Sequence, residues 1–92
     1  VFIELQLHTP LDGRGEDALM ALHETARRLK SEHGLRQVAV LHEEGGRMGL
    51  MTTWESRDAW SGARATREAI ATEIDMSCVD PAASEALLLS ET

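Results

Sequence analysis

The sequence predicts a single α+β domain with elements in the order β-α-β-β-α-β. Three observations predict it. Short runs alternate apolar and polar residues, longer stretches repeat apolar residues every three or four positions, and Gly- or Pro-bearing turns separate them. One domain over residues 1–92 is expected. A chain this short buries only about 60–65% of its unfolded surface, so association would help it.

The elements follow in order. Val1 to His8 reads as a strand, with Val1, Ile3, Leu5 and Leu7 alternating with Phe2, Glu4, Gln6 and His8. One of its faces is wholly apolar; the other turns polar toward the end. Thr9-Pro10 and Asp12-Gly13 supply a turn. Glu16 to His33 reads as a helix with an apolar stripe of Leu19, Leu22, Ala26 and Leu29. Glu16 and Asp17 begin it and Arg27, Arg28, Lys30 and His33 lie toward its end, as the helix dipole favours. Gly34 follows as a natural C′ residue.

Arg36 to Glu43 reads as the second strand and Arg47 to Trp54 as the returning one, joined through Glu44-Gly45-Gly46. Ser56 is a good N-cap for a second helix reaching about Ala71, with Ala59, Ala63, Thr66 and Ile70 inward and Trp60 beside them. Thr72 to Pro81 has no clear pattern. Glu85 to Ser90 reads as the last strand.

This order is the ferredoxin-like one: a four-stranded antiparallel sheet with two helices on one face. Such a sheet should be apolar on one side only. Here Val38 and Leu41, Leu50 and Met51, and Leu87 and Leu88 put apolar groups at both parities. They cannot all lie under two helices. The second face would be an exposed apolar patch, which a second copy of the sheet would cover, so a homodimer is expected.

Composition narrows the partners. Net charge is −7, and Arg27, Arg28 and Lys30 sit among Glu24 and Glu32 as a solvated helix face. Nucleic acid and membrane surfaces are therefore not expected partners. Cys78 is the single cysteine, so no internal disulfide forms. The opening VFIELQLHT lacks a basic leader, and no apolar run approaches the roughly 18 residues that cross a bilayer. A cytoplasmic location is expected. His23 and His33 stand ten positions apart on one helix, and no metal-ligand spacing occurs, so no metal site is expected.

The stretch Met51-Thr52-Thr53-Trp54-Glu55-Ser56-Arg57-Asp58-Ala59-Trp60 resembles the strand-to-helix junction of the antibiotic biosynthesis monooxygenase family. The resemblance implies a dimeric α/β barrel whose lumen holds a flat aromatic substrate. It further implies oxidation of an aromatic polyketide or quinol by molecular oxygen, with no metal or flavin cofactor. Leu50 stands where some members with this activity carry asparagine, and Trp60 where they often carry tyrosine. The haem-degrading branch holds iron through a histidine on the second helix; Ser56 to Ala71 contains none.

The candidate site residues follow from both readings. His8 and His42, on strands, are candidate general bases, or solvated strand ends. Glu4 and Gln6 share a face with His8 and would line a pocket, or form an exposed edge. Trp54 would stack on an aromatic ligand or fill a core corner; Trp60 and Leu50 are further substrate-binding candidates. The alternative to a cofactor-free monooxygenase is a non-catalytic small-molecule-binding or partner protein of the same fold.

Overall fold

A computed structural model describes residues 1–92. The strands are β1 (Phe2–His8), β2 (Leu35–His42), β3 (Met48–Trp54) and β4 (Glu85–Ser90). The helices are α1 (Gly15–Leu29), α2 (Arg57–Gly62) and α3 (Arg64–Glu73), and a single 3-10 turn spans Pro81–Ala83. All strand pairs are antiparallel, in the order β2-β3-β1-β4, so β1 and β3 are central. This is the expected ferredoxin-like α+β sheet.

Register fixes the two faces of the sheet. Gln6 pairs with Leu50, which pairs with Val40; Glu4 pairs with Thr52, which pairs with Val38. Val38, Val40 and Leu50 pack with Leu22, Leu29 and Ile70 in the main core. The mixed row of β1 therefore faces the helices. Paired residues share a face, so Leu5 lies on the opposite side with Met51, Ala39 and Leu87, and Ile3 with Thr53 and Leu89. No helix covers this outer side, where Leu41, Leu87 and Leu89 are exposed.

Two predicted helices change in detail. The expected helix from Glu16 to His33 ends at Leu29. Tight turns follow, with Glu32 N–H donating to Leu29 O at 2.8 Å and Leu35 N–H to Glu32 O at 3.2 Å. Gly34 has φ +82° and lies against α2: a Cβ there would sit 2.6 Å from Ala59 Cβ. The buried stripe of α1 is Ala18, Ala21, Leu22 and Leu29, and Leu19 is exposed.

The expected helix from Ser56 to Ala71 is broken in two at Ala63. Ser61-Gly62 is a weak helical pair. Ala63 is enclosed beside Phe2 and Trp54, and its N–H is shared between Ala59 O at 3.2 Å and Trp60 O at 3.3 Å. Ser56 caps α2 as expected, its Oγ accepting from Ala59 N–H at 3.0 Å.

The patternless stretch has a defined role. Leu11 N–H donates to Cys78 O at 2.8 Å and Asp80 N–H to Thr9 O at 2.8 Å, and Pro10 bridges Val79. Cys78 and Val79 are buried and close one end of the core. No helix is long and apolar enough to cross a membrane.

Candidate functional site

A cavity of about 310 Å³ lies between the inner sheet face and the helices. β1 contributes Glu4, Gln6 and His8 to its wall, and β3 contributes Leu50 and Thr52. Leu22, Thr25 and Leu29 of α1 line another side; Arg67, Glu68, Ile70 and Ala71 of α3, then Ile74 and Met76, complete it. Apolar walls with a few placed polar groups are the usual composition of a small-molecule site.

His8 is half-buried, and burial pushes its imidazole below the ordinary value. It is therefore neutral at neutral pH. Its Nδ1 lies 3.3 Å from Ser84 Oγ and its Nε2 3.3 Å from Gln6 Oε1. Ser84 gives its single hydroxyl hydrogen to Asp80 O at 3.2 Å. A neutral imidazole carries one N–H: on Nε2 it donates to Gln6 Oε1 and leaves Nδ1 with the lone pair, and on Nδ1 it donates to Ser84 Oγ and leaves the lone pair on Nε2.

Glu4 is only 8% exposed, although it carries a carboxylate. Its Oε1 accepts from the Trp60 indole N–H at 3.3 Å. Thr52 Oγ1 accepts from Trp54 Nε1 at 2.9 Å, two residues along the same strand. Thr25 turns its hydroxyl to Ala21 O at 2.9 Å.

The sequence candidates divide. Glu4, Gln6, His8 and Leu50 meet in one wall, and because β1 is central their row is not an exposed edge. Trp54 does not reach the cavity: it is fully enclosed between Phe2 and Ala63, filling a second core cluster. Trp60 packs on Phe2 with ring centroids 5.2 Å apart and touches the site through Glu4, not as a wall residue. His42 and His8 share a row through Met48, but roughly 10 Å of sheet separates them. His42 is exposed on edge strand β2 and does not line the cavity. Of the two readings for His42, the geometry therefore favours the solvated strand end.

Arg67 was not among the candidates. Its Cζ lies 4.3 Å from the Trp60 ring centroid, and Nη2 donates to Trp60 O at 2.9 Å. The seven-residue spacing, two helical turns, was the available signal; the break at Ala63 hides it.

No group of three or more His, Cys, Asp and Glu side chains is gathered as metal ligands. Neither do the residues present suit a haem. His8 is the one imidazole in the wall, it stands on a strand, and both its nitrogens face protein partners.

The fold and cavity define the class: a ferredoxin-like α+β domain with a ligand-sized cavity between its sheet and helices. Several solved structures share this fold across nearly the whole chain. A variant of SnoaB, a cofactor-independent oxygenase from Streptomyces nogalater, superposes with TM-score 0.79 at 17% identity, covering 98% of this chain and 91% of that one. An antibiotic biosynthesis monooxygenase gives 0.79 at 11% identity, covering 100% and 99%. MhuD, a haem degrader from Mycobacterium tuberculosis solved with two haems bound, gives 0.78 at 16% identity, covering 99% and 95%. By sequence, no protein-family model and no curated protein matches the chain. The fold is thus that of the antibiotic biosynthesis monooxygenases.

Proposed function

We propose that the protein is a cofactor-independent monooxygenase that oxidises an aromatic polyketide or quinol in this cavity. The observation that carries the reading is His8, its imidazole pushed toward the neutral, basic form by burial, in the cavity wall beside Glu4, Gln6 and Leu50. The unprotonated ring nitrogen takes a proton from an acidic CH or OH of the substrate. The resulting anion gives one electron to molecular oxygen, and the radical pair combines to a hydroperoxide. At a ring CH₂, loss of the remaining CH proton and cleavage of the O–O bond leave a ring carbonyl and one water. Both oxygen atoms come from O₂, one entering the carbonyl and one the water, and the substrate supplies all four electrons. The apolar part of the wall limits contact between the anion and bulk water.

The working unit is a homodimer. Two outer sheet faces, carrying Ile3, Leu5, Met51, Leu87 and Leu89, cover one another. Oxygen uptake with a panel of anthrones and naphthohydroquinones tests the reaction. Uptake above the buffer rate that is lost in His8→Gln supports it. Uptake at the buffer rate throughout favours the second reading, a non-catalytic small-molecule binder, which the engagement of both His8 nitrogens would suit.

A further inference from the structure

We infer that Arg67 makes the cavity an anion-accepting site, so that its aromatic ligand carries an ionised oxygen, a carboxylate or a phenolate. The inference rests on the cavity being the ligand site, as proposed above. Three fully ionisable side chains besides His8 reach the wall: Glu4, Arg67 and Glu68. Two of them are engaged elsewhere. Glu68 accepts from Arg64 Nε at 2.9 Å, and Glu4 accepts from the Trp60 indole.

Arg67 differs from both. It takes part in none of the ion pairs of the chain. Its guanidinium is nevertheless pinned, lying over the Trp60 ring with Nη2 bound to Trp60 O. Its Nε is buried and has no hydrogen-bond partner. A positive charge drawn partly out of water, without a counter-ion, is costly until an anion arrives. The guanidinium fork suits a carboxylate or an aryl oxide, and one edge of it is already fixed in place. Arg67 and Glu4 grip the same tryptophan without pairing with each other. Both line the same cavity, so a ligand there can reach a donor from Arg67 and an acceptor from Glu4. An aromatic ring bearing one ionised oxygen and one hydroxyl fits that pair.

Calorimetric binding to the 92-residue chain under anaerobic conditions tests this without any turnover. The probes are 2-naphthoate against its methyl ester, and 2,4-dinitro-1-naphtholate, ionised at neutral pH, against its methyl ether. Wild type is expected to bind at least one anion roughly tenfold or more tighter than its neutral partner, the size of a charge-assisted hydrogen bond. Preference for naphthoate assigns a carboxylate ligand; preference for the naphtholate assigns a phenolate. Arg67→Gln should bring the ratio of anion to neutral affinity close to one, and Arg67→Lys should keep part of the preference. If Arg67→Gln loses its fold, the wild-type ratio and Arg67→Lys still decide. Neutral and ionised probes bound equally well by wild type overturn this inference alone. No binding of any probe overturns both it and the cavity as a ligand site.

Discussion

Trp60 and Glu4, fifty-six positions apart in the chain, meet through one hydrogen bond of 3.3 Å from indole to buried carboxylate. Trp60 thereby joins the sheet to the α2–α3 corner, with Phe2 against its ring and Arg67 over it. Trp60→Phe keeps a ring but removes the donor. It is expected to cost about 1–3 kcal/mol, the range for leaving a buried polar group short of a partner. Urea unfolding would measure it, and Glu4→Gln in the same background should recover part of the loss.

His8 makes stability depend on pH. Its folded-state pKa lies below the unfolded value because burial disfavours the imidazolium. Below about pH 6.5 the unfolded chain binds the proton first, so stability is full above that pH and falls as pH drops toward the folded pKa. His8→Gln should flatten the pH dependence of the urea midpoint below about pH 6.5. An unchanged slope would mean that other groups govern it.

Gly34 and Gly13 offer a controlled comparison. Both have positive φ, +82° and +75°, but only Gly34 faces a neighbour, Ala59. Gly13→Ala should cost about 1–2 kcal/mol for the left-handed backbone alone. Gly34→Ala should cost clearly more, because α2 must also move. Thermal unfolding of the two variants separates backbone strain from steric contact.

The cap of α2 is a local test. Ser56→Ala removes the acceptor for Ala59 N–H and should cost about 1 kcal/mol. Asp80→Ala, which uncaps the 3-10 turn by taking the acceptor from Ala82 N–H, should act at the Ser84 end of the His8 contact. A changed pH profile in the second variant but not in the first would tie that turn to His8.

The outer face predicts its own assay. Leu89→Glu places a charge beside Ile3, where the sheet has no helix over it. Sedimentation should show wild type as a dimer at micromolar concentration and the variant shifted to monomer. Wild type sedimenting as a monomer would remove the proposed association.

By itself, the sequence determined the order of the elements, the strand from Glu85 to Ser90, the Ser56 cap and the alternation that puts Glu4, Gln6 and His8 on one side of their strand. These are local matters, set by period, turn chemistry and capping. Only the tertiary structure decided which side that was. A period of two sorts residues into two sets without saying which set meets the helices. The apolar set of β1 would have been the natural choice for the helix side. Instead Glu4 turns inward, because Trp60 brings it a hydrogen bond from α2 and β3 and α3 close around it. The same long-range packing removed Trp54 from the wall and brought Arg67 into it. A cavity is bounded by residues distant in the chain, and their spacing in sequence carries no record of the empty volume between them.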